Sequence, residues 1–463
     1  MSGDAGLSEI VKAYDIRGVV GAGLDEPVVR DIGAAMAALL RTEDPATRAV
    51  VVGHDMRVSS PPLAAAFTEG VTGQGLDVVS VGLASTDMVY FASGTLGLPG
   101  AMFTASHNPA RYNGIKLCRA GATPIGDDTG LRAIREMVEA GVPAGQGGGS
   151  VRTAKDLLAS YAAHLHGLVD LAGARPLKVV VDAGNGMGGH TVPAVLGDLP
   201  FEVVSMYFEL DGSFPNHEAN PLDPANLVDL RKRVLAEGAD LGLAFDGDAD
   251  RCFVVDERGQ PVSPSAITAL VAVRELEKAP GAVIIHNLIT SRAVPEIVAE
   301  HGGRPVRTRV GHSYIKQAMA QTGAVFGGEH SAHYYFRDFW RADSGMLAAL
   351  HVLAALSESG GRLSQLMERY GRYVASGEIN STVADTQDRI GAVRAAYVDR
   401  PGAEIDLLDG LTVTLEGGSW FNLRPSNTEP LLRLNVEAPD TASLAALRDG
   451  VLGIVRHDPR ETA

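Results

Sequence analysis

Short, nearly continuous apolar runs alternate with longer mixed stretches along most of this chain. Arg48-Ala-Val-Val-Val-Gly53 has the length and β-branched content of a strand buried on both faces. A stretch rich in Ala, Phe and Val from Pro61 to Val71 predicts a helix, and Leu76-Asp-Val-Val-Ser-Val81 predicts the next strand. The same order recurs with Leu177-Lys-Val-Val-Val-Asp182 and Phe201-Glu-Val-Val-Ser-Met206. It returns more faintly with Gly281-Ala-Val-Ile-Ile-His286 and Arg304-Pro-Val-Arg-Thr-Arg309. Strands alternating with helical segments predict α/β layers, and three loosely similar passages predict three related α/β domains in tandem.

The C-terminal part has another period. Leu411-Thr-Val-Thr-Leu415 and Leu431-Leu-Arg-Leu-Asn-Val-Glu437 alternate apolar and polar positions, and Gly417-Gly418 marks a hairpin turn. Helical stretches from Asp388 to Tyr397 and from Ser443 to Val455 flank them. This predicts a smaller α+β domain with an antiparallel sheet. The Pro/Gly-rich stretch from Gly141 to Gly149 reads as a flexible junction. The expected domains are 1–150, 151–256, 257–370 and 371–463.

Composition narrows the function. The chain has 463 residues, 45% hydrophobic and 21% charged, enough for sizeable cores and unlike a disordered chain. Its 56 acidic and 40 basic residues leave a net charge of −16, a poor match to nucleic acid or an anionic membrane. The expected partner is a small molecule, with no nucleic acid and no membrane. Two cysteines, Cys118 and Cys252, provide no disulfide framework. The first residues lack a basic and then apolar signal, and apolar runs such as Ala266–Val273 are far too short to span a bilayer. A cytoplasmic protein is expected.

Candidate chemistry lies in the segments that follow the strands, where α/β proteins place ligands. The three repeats carry Thr104-Ala-Ser-His-Asn-Pro109, Asp246-Gly-Asp-Ala-Asp-Arg251 and Gly328-Glu-His-Ser-Ala-His333. Asp246, Asp248 and Asp250 stand between two apolar runs, so one inter-strand loop holds three carboxylates. Like charges about 4 Å apart repel by roughly 4 kcal/mol at an effective dielectric near 20. A hard divalent cation relieves that repulsion, and oxygen ligands favour magnesium or calcium over zinc; a solvated acidic turn is the bland alternative. An EF-hand is excluded, although Glu257 occupies the twelfth position, because Arg251 replaces the required glycine and strands flank the loop.

Ser106 could carry a phosphoryl group opposite such a cation, or merely cap a helix. Its neighbour His107 is expected to point elsewhere, which leaves a Ser-His hydrolase dyad without support. Arg424-Pro-Ser-Asn-Thr-Glu429 offers a guanidinium fork with the donors Ser426, Asn427 and Thr428, joined by Arg433 on the next strand; it suits a phosphate or forms a hydrogen-bonded turn. Glu329, Ser331 and His333 could bind sugar hydroxyls or form a surface loop, and Arg17 could contact phosphate or pair structurally. Gly184-Asn-Gly-Met-Gly-Gly189 fits the dinucleotide fingerprint, but Asp182 beside it would oppose a pyrophosphate. No P-loop sequence occurs.

Together these motifs resemble the α-D-phosphohexomutase family, most closely its bacterial phosphomannomutase/phosphoglucomutase branch, from Tyr14-Asp-Ile-Arg-Gly18 to Arg424-Pro-Ser-Asn-Thr-Glu-Pro430. The resemblance implies three similar mixed-sheet α/β domains and a smaller C-terminal α+β domain in a heart shape around a central cleft. It implies that Ser106 carries phosphate and that Asp246, Asp248 and Asp250 bind Mg2+ with a phosphoserine oxygen. Arg17, Lys116 and His312 match residues around the transferred phosphate, with Lys116 and His312 the proton-transfer groups, and Arg251 lies beside the metal loop. Glu329, Ser331 and His333 match the sugar loop, and Arg424, Ser426, Asn427 and Thr428 the phosphate-binding loop. The implied reaction is reversible conversion of mannose 6-phosphate to mannose 1-phosphate, with glucose phosphates as further substrates, through a hexose 1,6-bisphosphate. A glucosamine phosphate mutase, a nucleotide-cofactor oxidoreductase and a non-catalytic sugar-phosphate binder are the alternatives, and a monomer or weak dimer is expected. Two departures stand out: Asn287-Leu-Ile-Thr-Ser-Arg292 lacks a lysine common in relatives, which Arg292 or Arg309 could replace, and Ala332 stands where many have glycine.

Overall fold

A computed structural model describes residues 6–426 and 431–457. Its strands form four sheets. In the first, Ala49–His54 runs parallel to Asp77–Leu83 and Gly100–Phe103, and Tyr112–Arg119 returns antiparallel beside Gly100–Phe103. In the second, Leu241–Phe245 runs parallel to Leu177–Asp182, which pairs with Phe201–Met206, and Cys252–Asp256 returns antiparallel. In the third, Val283–Asn287 runs parallel to Arg304–Thr308 and Phe326–Gly328, and Tyr334–Phe336 returns antiparallel.

One device is thus built three times. A parallel strand ends, a polar loop follows, and the chain folds back into an antiparallel strand. The loops between Phe103 and Tyr112, Phe245 and Cys252, and Gly328 and Tyr334 are those singled out above for their chemistry. Because both strands of each hairpin lie inside a packed sheet, the backbone at each loop's ends is held by ladder bonds.

The fourth sheet is antiparallel throughout, in the order Val374–Thr382, Leu431–Ala438, Trp420–Pro425, Leu411–Thr414, Glu404–Asp406. Gly417 and Gly418, at φ +84° and +90°, supply the left-handed turn between Leu411–Thr414 and Trp420–Pro425.

The packing separates this last unit from the rest. One contiguous apolar cluster joins Val51 and Met88 of the first sheet's unit to Val180 and Leu243 of the second and to Ala269 and Leu350 of the third. The helix Gly345–Ser359 is buried at every position from Gly345 to Leu356, as its apolar circumference requires. The C-terminal sheet instead packs its own cluster, including Val413, Phe421, Leu434 and Val451.

The glycine-rich junction is not a free linker. Gly147 N–H donates to the Gly73 carbonyl at 2.9 Å and Gly149 N–H to that of Thr72 at 3.2 Å. A Cβ at Gly145 would lie 2.1 Å from the Gly73 oxygen, so small residues here permit close backbone packing rather than mobility. Val151–Thr153 then adds an edge strand to the first sheet. Among the described residues no helix is long and apolar enough to cross a membrane.

Candidate active site

The loop after Gly100–Phe103 is shaped from below by Arg57, which is 1% exposed. Its guanidinium donates to the carbonyls of Ser106 (2.9 Å), Asn108 (2.7 Å), Pro109 (3.0 Å) and Tyr112 (3.1 Å), while its Nε bonds Asp55 at 3.2 Å. A planar fork with five donors can gather four carbonyls, which lysine cannot. The Phe214 ring covers the guanidinium at 5.0 Å. Held in this way, Ser106 adopts φ +50°, a left-handed conformation costly for a non-glycine residue and concentrated at functional sites.

Ser106 meets the acidic loop directly. Its Oγ donates to Asp246 Oδ2 at 2.9 Å, bridging 140 positions of sequence. Arg251 binds the same carboxylate through Nε at 2.9 Å and through its backbone N–H at 3.1 Å, and its Nη2 lies 3.3 Å from Ser106 Oγ. His107 does not point away as expected: its Nδ1 is 3.2 Å from Ser106 Oγ, because the left-handed turn places adjacent side chains on one side. Burial, with Arg251 and Arg17 nearby, holds His107 well below the usual imidazole range. A donor from Arg251 also points at Nδ1, which leaves that nitrogen an acceptor.

All three aspartates are fully buried. Lys116, on the returning strand Tyr112–Arg119, places Nζ 2.7 Å from Asp248 Oδ2 and 2.6 Å from Asp250 Oδ2. Burial pushes Asp246 up to about 7. Burial also works on Asp248, but the Lys116 ammonium outweighs it and holds that carboxyl below its ordinary range. Lys116 in turn sits well above the usual lysine value, since the two carboxylates overcome its burial. Asp248 Oδ1 and Asp250 Oδ1 are buried without a hydrogen-bond partner. Three carboxylates that can each bring an oxygen within 4.8 Å of the others, two of them also carrying a buried oxygen without a hydrogen-bond partner, fit a hard divalent cation.

The other predicted residues surround this centre at different removes. Arg17 bonds Asn108 Oδ1 at 2.6 Å, within the serine loop, and Asp15 at 2.5 Å. His333 bonds Asp343 at 3.0 Å and lies 4.0 Å from Asp250 Oδ1. Burial opposes its protonation, yet Asp250 and Asp343 prevail and raise it. His312 begins the helix His312–Thr322 and packs edge-on against Tyr14 at 4.9 Å; burial, then Lys316, lowers it to about 3. Glu329 is buried and accepts from Asn287 (2.9 Å), Tyr335 (2.7 Å) and Gly311 N–H (3.3 Å), which ties the candidate sugar loop to the residue before His312. Ser331 is half-buried in the same loop, and Ala332 adopts φ +65°, the conformation glycine would take more easily.

Arg424 and Arg433 face each other across the C-terminal sheet and share Glu378, at 3.0 and 3.3 Å. Ser426 N–H donates to the Leu431 carbonyl at 2.8 Å. Asn427 and Thr428 lie outside the described residues. Among the described residues no hydrogen bond or ion pair joins these arginines to the serine loop. Arg292 is committed to Glu296 at 2.7 Å, whereas Arg309 lies over the Tyr314 ring at 5.2 Å.

Two sequence features weighed and set aside above have structural roles. The segment 184–189 braces the acidic loop: Met187 N–H donates to the Gly247 carbonyl at 2.9 Å, and a Cβ at Gly186 would lie 2.7 Å from that oxygen. Asp182 accepts from Gly184 N–H at 2.9 Å and pairs with His217 at 2.9 Å, so the turn is held as a support for the acidic loop. Glu257, the rejected calcium ligand, binds Ser364 Oγ at 2.5 Å. Arg57, Thr86, Asp87, Lys316 and Asp343 were not anticipated. The strand-end rule applied to Gly53-His-Asp-Met-Arg57 and to Ala84-Ser-Thr-Asp87 could have flagged the first three.

The comparisons with known proteins fall on this arrangement domain by domain. Family profiles for phosphoglucomutase/phosphomannomutase alpha/beta/alpha domains I, II and III match residues 8–143, 159–259 and 263–373, and its C-terminal domain matches 378–454. The chain belongs to the phosphoglucomutase/phosphomannomutase family. This makes it a phosphohexomutase, an enzyme of the isomerase class. It is 44% identical over 440 residues to a protein named phosphohexose mutases from Xanthomonas campestris pv. campestris, covering 94% of this chain and 96% of that one. It is 41% identical over 451 residues to a phosphomannomutase of Salmonella typhimurium, covering 95% and 97%. A phosphoglucomutase/phosphomannomutase family protein from Burkholderia thailandensis has a structure that superposes with TM-score 0.87 at 35% identity, covering 96% of this chain and 97% of that one.

Proposed function

We propose that this phosphohexomutase interconverts mannose 6-phosphate and mannose 1-phosphate, and the corresponding glucose phosphates, through a phosphorylated Ser106. The observation that carries the reading is the 2.9 Å bond between Ser106 Oγ and Asp246, which sets a single hydroxyl against three carboxylates of another domain. Phosphoserine 106 gives its phosphoryl group to the free hydroxyl of a hexose monophosphate, whose proton leaves to a nearby base. The resulting hexose 1,6-bisphosphate turns over in the cleft, and its other phosphate returns to the Ser106 oxygen as the second sugar hydroxyl is released.

Asp246, Asp248 and Asp250 would hold Mg2+, which when bound neutralises charge on the transferring phosphoryl oxygens. Arg251 and Arg17 add fixed positive charge beside the serine, where phosphoryl transfer gains most. Lys116, whose Nζ lies 2.7 Å from Asp248 Oδ2, and His312 would be the proton-transfer groups. Glu329, Ser331 and His333 would position sugar hydroxyls. Arg424, Ser426, Asn427 and Thr428, with Arg433, would hold the phosphate that is not being transferred. The Ser106 residue is 4% exposed, and a closed site around it would limit hydrolysis of the phosphoserine by water. The four domains are taken as 1–150, 151–256, 257–370 and 371–463, with Val151–Thr153 crossing the first boundary to pair into the first sheet and Pro261–Val262 the second boundary to pair into the second.

A coupled assay with mannose 1-phosphate and glucose 1-phosphate, primed with a trace of hexose 1,6-bisphosphate, tests the substrates. Intact mass after that priming tests the mechanism: one phosphate on the native chain and none on Ser106→Ala. A native chain that turns over hexose phosphates yet never gains the phosphate contradicts the proposal.

A further inference from the structure

The strand Asp77–Leu83 of the first domain ends in Ala84-Ser85-Thr86-Asp87, from which the helix Thr86–Leu96 starts. Ser85 is the N-cap and accepts from Met88 N–H at 3.4 Å. The first residues of a helix usually leave their N–H groups to solvent or a cap. Thr86 is fully buried instead, and it spends both its donors on one residue of another domain. Its backbone N–H donates to the Asp248 carbonyl at 3.1 Å, and its Oγ1 to Asp248 Oδ2 at 2.5 Å.

Those two bonds fix the peptide and the carboxylate of Asp248 together. With Lys116 Nζ also on Oδ2 at 2.7 Å, two donors claim one carboxylate oxygen, and Oδ1 is left buried without a hydrogen-bond partner. Rotation of the carboxylate would break both contacts at once. Thr86 and Lys116 together therefore hold Oδ2 and leave Oδ1 as the unbonded oxygen of Asp248.

The next residue explains why Thr86 stays in place. Asp87 is 1% exposed, and its carboxylate accepts from Ser85 Oγ at 2.5 Å, Tyr161 OH at 2.6 Å and Ser344 Oγ at 2.7 Å. Tyr161 lies in the helix Leu157–Leu168 before the second sheet, and Ser344 is the N-cap of Gly345–Ser359 in the third unit. One side chain thus pins the Ser85–Asp87 turn at the meeting of three domains. Since these domains share one apolar core, the turn cannot drift without disturbing packing on all sides.

We propose that Thr86 is a positioning residue of the cation site, presenting Asp248 Oδ1 to the metal, and that Asp87 anchors it there. The inference rests on the assignment of Asp246, Asp248 and Asp250 as cation ligands. Outer contacts of this kind orient metal ligands, and their loss typically costs about 10–100-fold in metal affinity.

The test is calorimetric titration of the full-length protein with Mn2+ alone, together with kinetics over Mg2+ and sugar phosphate. Thr86→Val keeps the shape and removes Oγ1–H; it is expected to bind Mn2+ about 10-fold more weakly, with sugar phosphate KM within about twofold of native. Thr86→Ala, which suits a helix better, carries the same loss should the valine variant fold poorly. Thr86→Ser restores the hydroxyl and is expected to recover native affinity, whereas a purely space-filling role would make serine as defective as alanine. Asp87→Asn is expected to weaken Mn2+ binding as well. Native Mn2+ affinity in Thr86→Val, or serine no better than alanine, overturns the inference alone. No Mn2+ binding by the native chain overturns the cation site with it, while the phosphoserine mass measurement still decides the mutase reading.

Discussion

Gly247 lies directly on the backbone of Ser106: a Cβ added there would sit 2.3 Å from the Ser106 carbonyl oxygen. That oxygen is also held by Arg57 at 2.9 Å, so it cannot retreat. Gly247→Ala must therefore lift the acidic loop from the serine. Displacements near 1 Å cost about 100-fold in rate, and forcing in the extra atom costs about 1–3 kcal/mol of stability. Steady-state kinetics and thermal melting check this; an alanine variant with native turnover would mean that the two loops need not touch.

Asp248→Asn removes the charge that Lys116 and a cation both seek. Most turnover is expected to disappear. Chelation of the native enzyme should silence it equally, and added Mg2+ should restore the rate. Near-normal activity in the presence of a chelator would end the metal assignment.

Arg57→Lys preserves the charge and discards the fork. Asp55 keeps a cation nearby, but four carbonyls lose shared donors. Each buried carbonyl left without its donor costs about 1–3 kcal/mol. The expected result is a clear drop in melting temperature together with slow phosphorylation of the Ser106 loop, read by intact mass after exposure to a hexose 1,6-bisphosphate. Native melting with native phosphorylation would show the guanidinium geometry to be dispensable.

Asp87 links stability to pH. Burial raises its carboxyl from the ordinary 3.8 to about 6, against the pull of its three hydroxyl donors. The folded state therefore holds a proton that the unfolded chain releases. The stabilisation is complete below about pH 4 and is lost as pH rises through about 6, a difference near 3 kcal/mol for two pKa units. Subtracting the Asp87→Asn profile isolates this from other titrations. The native chain should gain on the variant as pH falls from about 7 to 4, and a difference flat over that range would contradict the shift.

The amino-acid order alone determined the strands and helices, because an apolar run or a period-two alternation is written in neighbouring residues. It also determined the polar loops at strand ends, the three carboxylates in one turn and the order of motifs that marks the family. Only the tertiary structure decided what those groups face. Ser106 meets Asp246 across 140 positions, and Thr86 meets Asp248 across 162. His107 lies beside Ser106 because of a left-handed backbone set by Arg57, and the glycines of 184–189 support the acidic loop. Contacts of that range arise when shared cores bring separate domains together, and a local pattern carries no record of which partner burial will select.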